Sequence, residues 1–547
     1  MTAPTAADLL VECLEAEGVG YVFGIPGEET LELNRALHAS SIEFVPVRHE
    51  QAGAYMANVV GRLTGRAGVC LGTLGPGATN LVTGVADAFL DRAPMVALTG
   101  QTDQERMHKE SHQHIDVVNL MDPITKWNAR VGDPSIIPEV VRKAFKLAEA
   151  EKPGPTHIEL PEDVMGEPYS GSPLRRQPPV RTEPSGEDVS RAARVLDAAR
   201  SPVALAGNGV IRNRAVTALR SFVRSVGLPT AVTFMGKGLI DPDDPLFLGA
   251  VGLQAGDFNM AGFDQADVVV AIGFDLVELS PSLWNPSGDK TIICLDTLPA
   301  EIDQNFLPEV ELVGDLNAVL DQLAAACTLI PHPGGSTKLR QAVADRFDIA
   351  QKDEGYPMKP PRVLYDTRHA LGRSDLLISD VGLHKLWVGR MFPAHEPNTV
   401  LIANGLAGMG FALPAAIAAK LVHPERKVVT VCGDGGFLMN VQELETAVRL
   451  STPFVTVVWE DRQFGSIALK QRRRFGSHFG IDFTNPDFVA LAESFGLAAW
   501  RVTTANEFGG LLREAITLPI PSLIVLEIDY DVEATITDEL GEETVLT

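Results

Sequence analysis

Cysteine is scarce in this sequence: Cys13, Cys70, Cys294, Cys327 and Cys432 are the five present, far apart and among apolar neighbours. No CxxC or comparable spacing joins them, which argues against a disulfide framework or a thiolate metal site and points to buried thiols in a reducing cytoplasm. Basic charge is also short. Against 71 Asp and Glu stand 46 Lys and Arg, a net charge of −25 that repels phosphate polymers and anionic lipid. Neither nucleic acid nor a membrane is therefore an expected partner. No apolar run reaches the roughly 18 residues of a bilayer-spanning helix. The opening stretch MTAPTAADLLVECLEAEGVG lacks a basic region ahead of an apolar one and reads as an amphipathic helix, so a cytoplasmic location is expected.

What is present is ordinary globular material: 45% hydrophobic and 21% charged residues, with 49 glycines and 37 prolines spread throughout. A chain of 547 residues exceeds one core. Two stretches rich in Pro, Ser and Gly, 167 to 188 and 331 to 362, read as linkers and divide it into three domains, 1–168, 188–330 and 360–547. Within each, short apolar runs alternate with helical patterns. AGVCLGTLG, MVALTGQ and THIELP in the first, PVALAGNG, VVVAIGF and TIICLD in the second, and LLISDVG, KVVTVCGDG, FVTVVWED and SLIVLEI in the third are the strand candidates. That alternation predicts an α/β fold of three doubly wound parallel sheets. Most runs end in Gly, Asp or Asn, at the edge where such sheets build their sites.

The chemistry concentrates in two places. VVTVCGDGGFLMN sets Gly433-Asp434-Gly435-Gly436 between a strand and a helix. Glycines there let backbone amides approach a diphosphate, and an acid among them requires a cation between itself and the phosphate. An Asp-Gly turn alone gives the same residues. The second acid makes the difference: Asp461 ends the next strand, 27 residues on, and a right-handed parallel crossover returns it to the same sheet edge as Asp434. Two carboxylates, a backbone carbonyl and a diphosphate supply most of an octahedral magnesium shell.

This spacing resembles the thiamin diphosphate motif, in which GDG is followed some two dozen residues later by an amide-bearing pair. Here the pair reads Glu460-Asp461, and the resemblance makes Asp434, Asp461 and the Gln463 carbonyl the metal ligands. It also implies a carboxylate against the cofactor's aminopyrimidine. The stretch VRHEQAGAYMANVVGRLTGRAGVCLGTLGPGATN looks like the family's pyrimidine-binding segment, with Glu50 in that catalytic role and Thr73, Pro76 and Asn80 beside it. Further cofactor contacts carried over by the resemblance are Gly27, His384 in SDVGLHKLW, Asn404 and Met409 in NGLAGMGFALPAAIAA, Gly435, Gly436 and Gly465. Leu383 stands where a polar residue is common. The three domains then become pyrimidine-binding, central and diphosphate-binding.

The resemblance covers nearly the whole chain and is closest to the acetolactate synthases, especially the catabolic, flavin-free type. HKESHQHIDVVNLMDPITKW looks like their substrate-side segment, placing His112 and Gln113 at the reacting carbons. Flavin-binding relatives usually carry a GARFDDR-like run where Gly273-Phe274-Asp275-Leu276 stands here without arginine, so FAD is not expected. The implied reaction decarboxylates pyruvate and ligates the remaining fragment to a second pyruvate, in a homodimer or homotetramer. A related carboligase or decarboxylase acting on another 2-oxo acid, an aldehyde or a diketone is the alternative. One departure bears on that choice: FGIPGEETLELN puts Glu28 and Glu29 where the catabolic synthases typically show Ala-Lys. The two acids either cap the helix that follows or face an incoming carboxylate. The basic run KQRRRF, 470 to 475, reads as a solvated or interface helix face, and the acidic tail from 531 as a disordered end or a flap over the site.

Overall fold

The computed structural model describes residues 4–178, 180–252, 261–328, 344–345 and 347–530. The acidic tail from 531, and residues 331–343 and 346 of the second linker, lie outside these residues. Each predicted strand forms, because runs such as VVTVCG and VTVVWE are rich in β-branched residues and buried on both faces, as a parallel sheet requires.

The first sheet consists of β1 (Tyr21–Gly24), β2 (Glu43–Pro46), β3 (Gly68–Gly72), β4 (Met95–Gln101), β5 (Asn128–Arg130) and β6 (Pro155–Pro161), in the order β2-β1-β3-β4-β6-β5. The second holds β7 (Pro202–Ala206), β8 (Thr230–Thr233), β9 (Phe247–Val251), β10 (Val268–Ile272), β11 (Thr291–Asp296) and β12 (Val310–Val313), in the order β12-β11-β10-β7-β8-β9. The third is β13 (Leu376–Ser379), β14 (Val400–Ile402), β15 (Val428–Gly433), β16 (Val455–Glu460), β17 (Ala498–Arg501) and β18 (Ser522–Glu527), in the order β14-β13-β15-β16-β18-β17. All pairings are parallel, and helices cross over between strands. Such sheets bind ligands where the strand order reverses. Those points fall between β1 and β3, between β7 and β10, and between β13 and β15.

Cα packing gathers the chain into two compact units. One comprises Met1–Pro179, Gly405–Glu425 and Leu438–Thr452, and so joins the first sheet to two helices from late in the sequence, Ala412–Val422 and Glu443–Arg449. The other comprises Val180–Asn404, Arg426–Phe437 and Pro453–Thr547 and holds the second and third sheets. All five cysteines are free thiols, four of them buried. Among the described residues no helix is long and apolar enough to cross a membrane.

Candidate active site

In the first unit the crevice between β1 and β3 is built by two loops in close contact. A Cβ on Gly27 would lie 2.3 Å from Thr73 Oγ1, so glycine is what lets the loop after β1 meet the loop after β3. The helix Glu50–Thr64 starts beside them. His49 caps it by accepting from the Gln51 amide through Nδ1, and Gly65 closes it in the left-handed conformation, φ +70°. Glu50 is its first residue and only 6% exposed. Asn80 Nδ2 donates to Glu50 Oε2 at 2.9 Å, from the helix that Pro76 opens. A Cβ on Gly77 would sit 3.4 Å from Glu50 Oε1, so the turn leaves that oxygen close clearance. Gln113, at φ +56°, sets its carbonyl against Gly75 of the same turn, while His112 is exposed. Met409 is half-buried in the loop that Gly408 packs on the Tyr55 hydroxyl.

Glu28 and Glu29 do not cap the helix Leu31–His38. Thr30 is its N-cap residue, and the Glu29 carboxylate instead accepts from Thr73 Oγ1 at 2.8 Å. A residue that no motif revealed lies close to Glu50 along the chain of contacts. Glu443 accepts the backbone amides of Arg48 and His49 at 2.9 and 3.1 Å, and the Thr446 hydroxyl at 2.6 Å. Burial pushes its carboxyl up to about 7.

In the second unit the crevice between β13 and β15 carries the acids. Gly433 pairs with Trp459 across β15 and β16, so Asp434 and Asp461 emerge side by side, as the crossover argument predicts. Asp434 is buried, and its Oδ2 accepts from the amides of Asp461 (3.2 Å) and Arg462 (2.7 Å) and from Asn485 Nδ2 (2.8 Å). Its Oδ1 accepts from the Gly435 amide at 2.8 Å. Arg462 reaches Asp434 through a left-handed backbone, φ +56°. Burial raises the Asp434 carboxyl despite these bonds, and burial together with the Asp434 charge raises Asp461 to about 7. Gln463 hydrogen-bonds Asp461 through both backbone and side chain, and its own carbonyl accepts from the Gly465 amide. A Cβ on Gly465 would lie 2.6 Å from Asp461 Oδ2, so this glycine makes room for the carboxylate.

A buried and a half-buried carboxylate that resist joint ionisation form an oxygen donor set for a hard divalent cation. The glycines beside them fit a diphosphate. A Cβ on Gly433 would meet His384 Cε1 at an ordinary contact distance of 3.4 Å, whereas one on Gly436 would crowd the buried Asp380 carboxylate at 3.2 Å. His384 is buried, and among the described residues its Nε2 has no hydrogen-bond partner. Burial pushes its imidazole down to about 3, so the ring is neutral. Its N–H, on Nδ1, goes to the Asp380 carbonyl, so Nε2 is left as an acceptor without a donor. Asn404 is buried at the end of β14. Glu460 turns away from the acid pair, accepting from Arg462, Arg501 and Asn485.

The crevice between β7 and β10 differs. Gly207 and Gly209 approach Gly273 so closely that a Cβ on either would lie 2.5 to 2.6 Å from the Gly273 carbonyl oxygen. The Asn208 amide points at the Glu278 carboxylate at 3.1 Å, and Thr233 donates to the same group. Where a nucleotide-binding sheet offers amides to a phosphate, this one presents them to its own buried acid.

Three family models match the chain along its length: the thiamine pyrophosphate enzyme N-terminal TPP binding domain over residues 4–120, the central domain over 189–323 and the C-terminal TPP binding domain over 380–526. The chain is thus a thiamine pyrophosphate enzyme in its three-domain α/β fold. The acetolactate synthase of Bacillus subtilis (strain 168) is 37% identical over 96% of this chain and 93% of its own length. The catabolic acetolactate synthase of Raoultella terrigena is 37% identical over 96% and 95%, and the isozyme 2 large subunit of Escherichia coli (strain K12) 31% over 96% and 95%. Within the thiamine pyrophosphate enzymes, the chain belongs to the acetolactate synthase family.

Proposed function

We propose that the protein is a magnesium-dependent acetolactate synthase that decarboxylates pyruvate and joins the remaining two-carbon fragment to a second pyruvate. The observation that carries the metal and cofactor assignment is the Asp434–Asp461 pair at the glycine-rich end of β15. The choice of reaction rests on near full-length similarity to acetolactate synthases.

When bound, thiamin diphosphate supplies a carbon nucleophile and an electron sink for decarboxylation. The chain's own residues do the rest. Glu50, held by Asn80 and shielded from water, exchanges a proton with the aminopyrimidine ring. Asp434 Oδ1, the Asp461 carboxylate and the Gln463 carbonyl would hold magnesium. Gly435 and Gly436 would leave room for the diphosphate, beside the neutral imidazole of His384. Gly27, Thr73, Pro76 and Met409 in the first unit, and Asn404 and Gly465 in the second, would be further cofactor contacts. His112 and Gln113 face the substrate. Three domains, 1–168, 188–330 and 360–547, assemble as a homodimer or homotetramer in the cytoplasm. The central crevice holds no flavin, because Glu278 already takes the Asn208 amide.

A second reading is favoured by one contact. The Glu29 carboxylate, tied to Thr73 on the loop leading to Asn80, sets a negative charge in the crevice that Glu50 borders, and this favours a neutral aldehyde or diketone acceptor over an anionic one. Incubation with pyruvate, thiamin diphosphate and magnesium decides between the two, with 2-oxo acids and aldehydes as competing acceptors. The expected outcome is acetolactate from pyruvate alone, with Glu50→Gln lowering kcat by roughly 10²- to 10⁴-fold while still binding the cofactor. Carbon dioxide release without acetolactate, and product only when an aldehyde is added, would establish the second reading instead.

A further inference from the structure

We propose that Asn485 is a positioning residue of the metal site, a clasp that turns one oxygen of Asp434 toward the cation. The proposal rests on the thiamin diphosphate and magnesium reading above.

Asp434 has two unequal oxygens. Oδ2 accepts three hydrogen bonds, from the Asp461 and Arg462 amides and from Asn485 Nδ2 at 2.8 Å, and so has no capacity left for a metal. Oδ1 accepts only the amide of Gly435 and keeps a lone pair free of protein donors. The distribution of donors therefore selects the ligating oxygen. Two of the three are backbone amides, fixed by the end of β16. Asn485 is the side chain that completes the set, and it arrives from a separate loop, beyond the 27-residue crossover that links the two acids.

The amide group of Asn485 has one possible orientation. The same Nδ2 that donates to Asp434 also donates to Glu460 Oε1 at 3.2 Å, and two carboxylates can be met only by the nitrogen end of an amide. Glu460 is in turn held from behind. Its carboxylate accepts from Arg501 at 2.7 Å and from Asn485 and Arg462 at 3.2 Å. Glu460 is thus a fixed anchor rather than a third ligand. The row runs from Arg501 through Glu460 and Asn485 to Asp434.

The other end of the amide supplies an independent observation. Asn485 Oδ1 is buried and accepts no hydrogen bond from any donor in the described residues. An orphaned carbonyl beside an acid pair is costly unless a ligand satisfies it. Magnesium keeps several of its waters, and each needs an acceptor. Asn485 thus holds Asp434 with its nitrogen and offers its oxygen to a cation-bound water.

The test compares native protein with Asn485→Ala. Mn²⁺ serves as the probe, followed by the loss of its free spectrum in electron paramagnetic resonance at saturating thiamin diphosphate, alongside the melting temperature of the metal-free protein. The expected result is Mn²⁺ binding weakened by about 10- to 100-fold, the usual effect of removing a partner of a metal ligand, with metal-free melting unchanged. Unaltered Mn²⁺ affinity would overturn the proposal, as would a loss of affinity matched by a fall in metal-free melting, which marks a merely structural loop contact. As a second variant, Glu460→Gln, which frees the anchor while leaving Asn485 in place, is expected to weaken Mn²⁺ binding in the same direction but less. Native protein that binds no Mn²⁺ would instead remove the metal reading, and the clasp with it.

Discussion

Glu278 shows how much a single buried acid determines. It is enclosed, and burial pushes its carboxyl up to about 7, with the hydrogen bonds from Thr233 and Asn208 only partly opposing. Its folded value therefore lies above the unfolded value of about 4.5. The folded state holds the extra proton, so the stabilisation is fully present below about pH 4.5 and is lost as pH rises through about 7. A shift of this size is worth on the order of 3 kcal/mol. Glu278→Gln keeps an oxygen to accept from Asn208 and Thr233 but cannot ionise. The expected result is a melting temperature close to the native one at pH 5 and several degrees higher at pH 8. A gap that stays constant between those pH values would show that Glu278 does not titrate in the folded protein. None of this was legible in the sequence, where Glu278 is one acid in GFDLVELSPSLW. The same holds for Glu443 and Asn485, whose partners are brought to them only by the fold. Glu50, Asp434 and Asp461 could be singled out as candidates, the two aspartates because the apolar runs place them at neighbouring strand ends and Glu50 because its segment resembles the family's pyrimidine-binding one.

At the scale of elements, the sheets were readable and the loop contacts were not. Every apolar run proposed as a strand became one, since a two-sided buried strand has few other ways to satisfy such a sequence. The side chains of Glu28 and Glu29 were harder, because a helix dipole and a neighbouring threonine hydroxyl compete for the same carboxylates and only the geometry decides. Helix packing behind Glu50 depends on a glycine in a similar way. A Cβ on Gly84, in the helix Pro76–Leu90, would lie 2.4 Å from Ala54 Cβ and 3.0 Å from the Gln51 carbonyl, in the first turn of the Glu50 helix. Asn58 and Asp87 bond the same two helices at 3.2 Å. Gly84→Ala must therefore push Glu50 and Asn80 apart, since the atoms it meets are backbone and Cβ, with no rotamer to yield. The expected cost is about 1 to 3 kcal/mol in stability, the usual price of overpacking, together with a fall in kcat. Native kcat in a folded Gly84→Ala protein would show that the helix spacing does not set the catalytic carboxylate.

At the scale of the whole molecule, the field of the protein opposes its own proposed substrate. A net charge of −25 surrounds sites that are to receive a 2-oxo acid anion and a diphosphate cofactor. Locally the chain offsets this with cations at particular points, such as Arg462 and Arg501 around Glu460 and the exposed Arg472, Arg473 and Arg474 at the end of the helix Gly465–Phe475. These charges act over a few ångströms, whereas the general acidity acts over a Debye length, about 30 Å at 0.01 M salt and about 8 Å at 0.15 M. Screening should therefore remove more repulsion than attraction. For pyruvate, kcat/KM is expected to rise several-fold between those two ionic strengths. A neutral aldehyde offered as acceptor provides the control, because its encounter with the protein involves no net charge and its dependence on salt should be flat. Measured in parallel at saturating thiamin diphosphate and magnesium, a fall in kcat/KM for pyruvate with added salt would mean that local cations, not the overall field, govern the approach to the site.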